Sequence, residues 1–313
     1  MKKLASLSVV IPCFNEEEVL PITMKELVPL LKSWERKIIS SYQVVFANNG
    51  STDNTLEVMI SLKKKYKCVK IIDLRNNFGY QSSISAGLFH ADNDLTISID
   101  SDLQDDPRKM EEMIHWYYKG YDMVLGIRDS RKTDGFFKRI FSKGFYKIMQ
   151  VLGANSVYNH GDFRLLAKPL VNALKEYPEK NRYLRGLVLS IESRYAKVYY
   201  DRRKRLHGET KFKPFQLISL ALDGITSFTI KPIRWIFLMG LSMFLVAFCL
   251  IVYVLYLSTI EGIPIQGWAS TLIIILFFGG VQNIALGIVG EYIAKTYTET
   301  KQRPLYIVRK IYN

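Results

Sequence analysis

Two aspartates separated by one residue, Asp100 and Asp102, are the side chains of this sequence best suited to chemistry. They follow residues 95–99, a short apolar run that predicts a buried strand. Residues i and i+2 of an extended chain lie on one face, so both carboxylates can point at the same place beyond the strand. Mg²⁺ and Mn²⁺ prefer oxygen ligands and leave part of their coordination shell to substrate phosphates. We therefore predict a divalent metal site at Asp100 and Asp102, with the side-chain carbonyl of Gln104 as a third ligand.

Polar side chains also follow the first two predicted strands. Asn15 and Glu16 come after residues 7–12, and Asn49 comes after residues 43–47. The carboxyl ends of parallel strands meet at one edge of a sheet, where open α/β sheets bind ligands. Asn15 and Glu16 are suited to hydrogen bonding with a base or a ribose, but they also fit a helix N-cap followed by a first-turn acid. The stretch around Asn49 is equally compatible with a simple turn.

The order of the elements indicates how these groups are positioned. Within residues 1–211, short apolar runs alternate with helical segments, which predicts a doubly wound α/β fold. Apolar runs without polar alternation are typical of a parallel sheet covered on both faces. Asp53 is predicted to cap the second helix. The predicted strands are residues 7–12, 43–47, 69–74, 95–99 and 123–126, and the predicted helices are residues 16–31, 55–66 and 81–89.

Two long apolar stretches near the end of the chain, residues 235–257 and 268–290, contain no charged residue. Each exceeds the roughly 20 residues that a membrane-spanning helix needs. Residues 258–267 between them contain no Lys or Arg, whereas both outer flanks are basic, so the positive-inside rule places both ends in the cytoplasm. Residues 212–231 are predicted to form helices in the membrane interface, with an ordinary amphipathic core helix as the alternative. Residues 1–211 then form a cytoplasmic catalytic domain, 232–290 the two spans, and 291–313 a cytoplasmic tail.

The charge and the cysteines narrow the class of protein. The chain has 43 Lys and Arg against 29 Asp and Glu, a formal net charge of +14. Such an excess favours an anionic partner, and basic residues beside anionic lipid account for most of it. The three cysteines form no C-x-x-C pair, so the sequence suggests neither a disulfide framework nor a zinc site, and we expect reduced thiols. The N-terminus has no apolar run of the length that a secretory signal requires, so we expect a cytoplasmic domain.

Several motifs together resemble the polyisoprenyl-phosphate branch of glycosyltransferase family 2, whose inverting enzymes have a single GT-A (Rossmann-like) nucleotide-sugar domain. The branch includes dolichyl-phosphate mannose synthases and two-span bacterial undecaprenyl-phosphate glucosyltransferases, and the resemblance covers essentially the whole chain. The motifs are Arg75-Asn76-Asn77-Phe78-Gly79, Asp100-Ser101-Asp102-Leu103-Gln104-Asp105, Gly161-Asp162-Phe163-Arg164-Leu165, Gly208-Glu209-Thr210-Lys211-Phe212 and Arg303-Pro304-Leu305-Tyr306.

The resemblance implies a multi-pass enzyme of the cell inner (cytoplasmic) membrane that transfers a hexose from a nucleotide sugar to polyprenyl phosphate. UDP-glucose is the first donor it suggests, with GDP-mannose or another UDP-sugar as alternatives. It also implies a Mg²⁺ or Mn²⁺ cofactor, a homo-oligomer that could be a tetramer, and no nucleic acid partner.

The resemblance further implies a role for individual residues. Asp102 and Asp162 would be catalytic, and Asp162 would either orient an arginine or the sugar, or accept a residual proton. Asn49 stands where the family usually has an acid, which weakens inference about the base. The metal ligands would be Asp100, Asp102 and Gln104; the nucleotide sugar would contact Pro12, Asn15, Glu16, Asn49, Asp100 and Ser101; the acceptor phosphate would contact Arg128, Lys138, Ser142, Arg202, Arg205 and Lys211.

Two other functions remain compatible with the same residues. A processive polysaccharide synthase of the same superfamily would carry a Q-x-x-R-W element, of which only Arg234 and Trp235 are present here. A non-catalytic membrane scaffold would retain the fold without the chemistry, and Asn49 is the feature that favours it. The product formed from a nucleotide sugar, with and without lipid, separates the three.

Overall fold

The computed structural model describes residues 4–129, 157, 159–180, 182–203, 231–259 and 267–313. The strands in this part of the chain are β1 (Leu7–Cys13), β2 (Tyr42–Asn48), β3 (Val69–Leu74), β4 (Leu95–Ser98), β5 (Met123–Arg128), β6 (His160–Ala167), β7 (Ala196–Tyr200) and β8 (Val308–Tyr312). The helices are α1 (Leu20–Trp34), α2 (Thr55–Lys65), α3 (Tyr80–Phe89), α4 (Lys109–Tyr118), α5 (Lys168–Lys175), α6 (Leu184–Ile191), α7 (Lys231–Thr259) and α8 (Trp268–Thr300). The predicted interfacial helices lie outside the described residues, apart from Lys231.

One sheet holds all these strands in the order β7-β5-β6-β4-β1-β2-β3-β8, and helices cover both of its faces. Every residue of β1 is buried. Val9 and Ile11 point into a core formed with α1, α2 and α4, while Val10 points into a second core formed with α3, α5 and α6. Burial on both faces requires apolar side chains at consecutive positions, which explains the unbroken apolar runs and confirms that part of the prediction.

The prediction of a parallel sheet is wrong at two strands, because the sheet is mixed. β6 runs antiparallel to both of its neighbours, β4 and β5, and β8 runs antiparallel to β3. β6 was not predicted as a strand because Asp162 and Arg164 interrupt its apolar pattern. Both charged residues are nevertheless buried, since they pair with each other and with neighbouring groups inside the sheet.

Two local predictions also need correction. The first helix begins at Leu20 rather than at residue 16. Asn15 has a φ of 56°, and the Glu16 N–H donates to the Thr55 hydroxyl at 2.8 Å. These contacts hold the chain as a turn before α1 begins. Asn54, not Asp53, occupies the N-cap position of α2, although the Asp53 carboxylate accepts the Thr55 N–H at 3.1 Å.

Helices α7 and α8 contain the two apolar stretches. By length and composition, one segment of the described residues, Lys231–Leu250, is long and apolar enough to cross a membrane, with a mean hydropathy of 2.1. The predicted second span lies within α8, and the prediction of two spans is not confirmed by the described residues. Both helices expose large apolar side chains, including Phe237 at 69% and Ile284 at 68%.

Residues near the end of the chain return to the sheet. β8 pairs with β3, the Arg75 N–H donates to the Ile307 carbonyl at 2.9 Å, and the Arg309 guanidinium lies 3.7 Å from the buried Asp73 carboxylate. Near the end of α8, the Glu299 carboxylate accepts the Lys180 N–H at 2.9 Å. Residues 291–313 thus contribute the end of a helix and an edge strand of the sheet, rather than a separate tail.

Candidate active site

The chain after β4 places two carboxylates beyond the carboxyl end of the sheet. The Tyr80 hydroxyl, at the start of α3, donates to Asp100 Oδ1 at 2.7 Å. Asp102 Oδ1 accepts the Gln104 N–H at 3.1 Å, which turns the chain back on itself. The Gln104 backbone carbonyl accepts the Arg203 N–H at 2.9 Å, which ties this loop to the segment after β7. The predicted metal-binding residues therefore lie in one loop that is fixed at both ends.

Ser101, between the two aspartates, is 6% exposed. Its backbone carbonyl accepts the hydroxyl hydrogen of Thr23 from α1 at 2.6 Å. Leu103, two residues on, has a φ of 47° and a buried side chain that anchors the loop in the core. The contact of Ser101 with a nucleotide sugar stays a prediction.

The loop concentrates negative charge. Burial and the neighbouring carboxylates of Asp105, Asp162 and Asp102 raise the pKa of Asp100 to about 7, although the hydrogen bond from Tyr80 acts in the opposite direction. A divalent cation bound between Asp100 and Asp102 would relieve this repulsion, so the residues present fit the predicted metal. Among the described residues, no group of three or more His, Cys, Asp and Glu forms a metal site. Two carboxylates with one amide carbonyl are a small ligand set of the kind that leaves positions for substrate phosphates.

Asp162, on β6, lies between two guanidinium groups. Its Oδ1 accepts a hydrogen bond from Arg164 in the same strand, and its Oδ2 accepts Nη2 and Nε of Arg185 at 2.8 and 3.2 Å. Although burial favours the neutral acid, the charges of Arg185 and Arg164 hold the pKa of Asp162 well below its ordinary value. A carboxylate so firmly ionised is a poor proton acceptor, but it is well placed to orient the two arginines.

A second buried carboxylate, Asp105, holds a third guanidinium. Asp105 Oδ1 accepts the Tyr200 hydroxyl at 2.7 Å and lies 3.4 Å from Nη2 of Arg128. Arg128 Nε also donates to the Tyr200 oxygen at 3.3 Å. Although burial acts against it, the Asp105 charge raises the pKa of Arg128 above its ordinary value, so the guanidinium stays charged. Arg128, predicted from the resemblance, thus lies at the same edge of the sheet as Asp162.

The predicted nucleotide-binding residues form a second group beyond β1 and β2. Asn15 Oδ1 accepts the Thr52 N–H at 2.9 Å, which joins the loops after the two strands. Asn49 is 3% exposed, and its amide donates to Asn77 Oδ1 and accepts the Phe78 N–H, both at 2.9 Å. An aspartate could not donate to Asn77, so Asn49 suits this particular loop. Pro12 is a buried residue of β1, and the contacts of all these residues with a nucleotide stay predictions.

Gly50, in the loop beside Asn49, has a φ of +66°, and a Cβ there would lie 2.4 Å from the carbonyl carbon of Asn76. We expect Gly50→Ala to lower the free energy of unfolding by more than about 3 kcal/mol, because it adds a backbone clash to a left-handed conformation. Gly120→Ala is the matched control, since φ is +92° there with no atom within 4 Å. Denaturant unfolding that gives equal losses for the two variants would contradict this account.

His160, two residues before Asp162, is 2% exposed, and neither ring nitrogen has a hydrogen-bond partner among the described residues. Burial and the charges of Arg164, Arg185 and Arg128 hold the pKa of His160 well below 6.5. The folded protein therefore keeps this ring neutral at a pH where the unfolded chain protonates it.

This depressed pKa predicts a pH dependence of stability. The contribution of His160 is fully present above about pH 6.5 and is lost as the pH falls below it, because the unfolded state then binds the extra proton. We expect His160→Gln to lose less stability than the wild type between about pH 7 and about pH 5 in thermal unfolding. His115→Gln, which changes an exposed histidine of α4, is the control and should follow the wild type. Parallel curves for the wild type and His160→Gln would refute the assignment.

Of the remaining predicted phosphate-binding residues, one lies within the described part of the chain and four lie outside it. Arg202 is exposed just beyond β7. Sequence reasoning missed Tyr80 and Arg185, because no local spacing marks either as a partner of Asp100 or Asp162. Four predicted residues, Lys138, Ser142, Arg205 and Lys211, lie outside the described residues.

Known proteins resemble this chain over almost its full length. A sequence model of glycosyl transferase family 2 matches residues 8–174. The chain is 40% identical to YkoT, an uncharacterized glycosyltransferase of Bacillus subtilis (strain 168), over 96% of this chain and 90% of that protein. It is 38% identical to a prophage bactoprenol glucosyl transferase homolog of Escherichia coli (strain K12), over 97% and 99%. It is 37% identical to the bactoprenol glucosyl transferase of Shigella phage SfII, over 97% of each chain.

The protein is therefore a glycosyltransferase with an α/β, GT-A (Rossmann-like) domain built on a mixed sheet. The chain belongs to glycosyl transferase family 2, as its motifs predict. Among solved structures it is similar to glucosyl-3-phosphoglycerate synthase from Mycobacterium tuberculosis in complex with Mn²⁺, UDP and phosphoglyceric acid, with 15% identity and a TM-score of 0.48 over 71% of this chain and 76% of that chain. A TM-score of 0.48 carries no conclusion, so the assignment rests on the family model and the sequence relatives.

Proposed function

We propose that this protein transfers a single hexose from a nucleotide sugar, with UDP-glucose as the first donor, to polyprenyl (undecaprenyl) phosphate at the cytoplasmic face of the inner membrane. The observation that carries the proposal is the pairing of a carboxylate cluster at Asp100 and Asp102 with anchored guanidinium groups at Arg128 and Arg185 on the same sheet edge. Two bactoprenol-named relatives align over 97% of this chain. GDP-mannose and other UDP-sugars remain alternative donors.

The proposed reaction is an in-line displacement at the anomeric carbon. A phosphomonoester has a second pKa of about 6, so the acceptor is largely dianionic at neutral pH and is already a nucleophile. One of its oxygens forms a bond to the anomeric carbon as the bond to the donor diphosphate breaks, and the electron pair leaves with the nucleoside diphosphate. Attack opposite the leaving group inverts the anomeric configuration. A Mg²⁺ or Mn²⁺ ion held by Asp100, Asp102 and Gln104 would supply charge stabilisation at the leaving diphosphate.

We assign Asp162 an orienting role in this reaction. We assign Asp102 a catalytic role, because it would hold the metal ion at the diphosphate site. The dianionic acceptor does not need a strong base, and two guanidinium groups hold the pKa of Asp162 low, although burial alone would raise it. The protein's main task is to bring two anions together, for which fixed arginines offset the repulsion. Arg202, Arg205, Lys138, Ser142 and Lys211 complete the proposed acceptor site.

We further propose a multi-pass membrane protein in which both α7 and α8 span the bilayer, with residues 212–231 at the interface. Exposed apolar side chains on both helices support this. The return of β8 to the catalytic sheet supports it as well, because a chain that leaves a domain at Lys231 and rejoins it at Val308 must cross the membrane an even number of times. If α7 spans, α8 has to span too.

We also propose a homo-oligomer that could be a tetramer, which the mass of the detergent-solubilised protein would test.

A donor screen tests the function. Purified full-length protein in detergent is incubated with undecaprenyl phosphate, Mg²⁺ or Mn²⁺, and each of several radiolabelled nucleotide sugars, and label is counted in the solvent-extracted lipid. We expect label in lipid from one donor, dependent on both the lipid phosphate and the metal. Label in a polymer made without lipid would instead establish a processive synthase. Absence of transfer from every donor would favour a scaffold.

A further inference from the structure

Two partly exposed guanidinium groups share one construction at the sheet edge. The Arg128 side chain is 23% exposed and pairs with Asp105, whose side chain is 3% exposed. The Arg185 side chain is 32% exposed and pairs with Asp162, whose side chain is 4% exposed. In each pair the acid is buried and the arginine reaches the surface. A buried acid fixes the guanidinium in one orientation, which lowers the entropy that is lost when the group binds an anion.

These two arginines lie beside consecutive residues of β6. A Cβ on Gly161 would be 3.3 Å from Arg128 Nη2, and the next residue, Asp162, is the partner of Arg185. The Ser98 hydroxyl donates to the Asp162 backbone carbonyl, which connects this point of β6 to the end of β4. Asp100 lies two residues beyond Ser98, so the arginines and the proposed metal site adjoin each other.

Arg185 also lies close to the carboxylate cluster itself. The Leu184 N–H, next to Arg185 in the chain, donates to Gln81 Oε1 at 3.2 Å, and Gln81 follows Tyr80, whose hydroxyl donates to Asp100. Arg185 thus lies beside the segment that holds Asp100. An anion bound by Arg185 would lie next to a diphosphate held at Asp100 and Asp102, which is the placement that an in-line attack requires.

We propose that Arg185, positioned by Asp162, binds the phosphate of the lipid acceptor together with Arg128. An acceptor dianion has to approach a site that already contains the carboxylates of Asp100, Asp102 and Asp162, so it needs fixed positive charge on its own side. A guanidinium has five donors in a planar fork and can bind a carboxylate and a phosphate oxygen at the same time. The inference rests on the proposed function and adds Arg185 to it as a substrate-binding residue.

The test separates the acceptor from the donor. In Arg185→Gln, we expect the KM for undecaprenyl phosphate to rise by about 10- to 100-fold, because one charged hydrogen-bonding group is lost. The KM for UDP-glucose should stay within about 2-fold of the wild-type value. Arg185→Lys keeps the charge but lacks the planar fork of donors. Its KM for undecaprenyl phosphate should lie between those of the wild type and Arg185→Gln. Arg194→Gln is the matched control, because Arg194 precedes β7 at the opposite end of the strand, where it stacks over Tyr121 at 4.9 Å.

Three results would overturn the inference. A rise in the UDP-glucose KM alone would place Arg185 on the donor side. Unchanged KM values with a lowered Tm would make it a structural partner of Asp162. Equal effects in Arg185→Gln and Arg194→Gln would indicate a general effect of surface charge.

Ligand-dependent thermal unfolding keeps this test distinct from that of the proposed function. We expect undecaprenyl phosphate to raise the Tm of the wild type more than the uncharged polyprenol does, and Arg185→Gln to lose this difference. If the wild type shows the difference but transfers no sugar from any donor, the proposed function fails and the phosphate site stands. If neither protein distinguishes the two lipids, the phosphate site fails, whatever the result of the transfer assay.

Discussion

Replacing Asp102 with asparagine is expected to lower the rate of sugar transfer by about 10²- to 10³-fold, because it removes one of the two carboxylates that would hold the metal ion against the charge of the leaving diphosphate. Asparagine keeps the Oδ1 oxygen that accepts the Gln104 N–H at 3.1 Å, so the loop should keep its conformation. The measurement is kcat at saturating UDP-glucose and undecaprenyl phosphate over a range of Mg²⁺ and Mn²⁺ concentrations. The variant should also need more metal to reach its maximal rate.

Stability distinguishes this effect from misfolding. The Asp102 charge is one of the causes that raise the pKa of Asp100, so the two carboxylates repel each other in the metal-free protein. Removal of one charge should therefore leave the Tm of the metal-free protein unchanged or higher while activity falls. Asp92→Asn is the control, because it breaks an ion pair that lies outside the site. The Asp92 carboxylate is 2.7 Å from Nζ of Lys70, and the variant should keep the wild-type rate. A wild-type rate in Asp102→Asn would remove Asp102 from the diphosphate site.

The second large effect is expected from Asp162→Asn. Arg164 is 1% exposed and loses its counter-charge in this variant, so we expect the free energy of unfolding to fall by about 3–5 kcal/mol. Activity should fall as well, by about 10²-fold or more, since Arg185 loses the carboxylate that fixes it. Denaturant unfolding and the transfer assay measure the two effects separately.

A double variant shows whether the two effects of Asp162 are separable. In Asp162→Asn with Arg164→Met, no unpaired charge remains buried at these positions, so a large part of the stability should return. Activity should stay low, because Arg185 is still not anchored. Full recovery of activity along with stability would mean that Asp162 only balances the charge of Arg164. Unchanged acceptor KM in folded Asp162→Asn would instead favour proton transfer over orientation.

The sequence predicted the first five strands well because their burial on both faces requires unbroken apolar runs. It missed β6, whose buried ion pair between Asp162 and Arg164 looks like an exposed segment when each residue is considered alone. It missed β8 and the direction of both strands for a related reason. Strand direction depends on which neighbours the connections bring together, and β8 pairs with residues more than 200 positions away in the chain.

In the candidate site too, the features that are local in the sequence could be predicted and the contacts between distant residues could not. Asp100 and Asp102 were predictable because their spacing and position after a strand are local features. The partners of the site's carboxylates come from elsewhere in the chain: Tyr80 on α3 donates to Asp100, and Arg185 on α6 donates to Asp162. Asn49 could be predicted as a polar residue at the sheet edge, but its use of both amide atoms on the loop at Asn77 and Phe78 depends on the packing of that loop.

The measurement that tests the central claim most directly is the structure of the lipid product. Full-length protein is incubated with UDP-glucose, undecaprenyl phosphate and Mg²⁺ or Mn²⁺, and the extracted lipid is analysed by mass spectrometry and by NMR of the anomeric proton. We predict undecaprenyl phosphate carrying one hexose in the β configuration, inverted from the α-linked donor. A product with retained α configuration, more than one sugar per lipid, or a glycan free of lipid would contradict it.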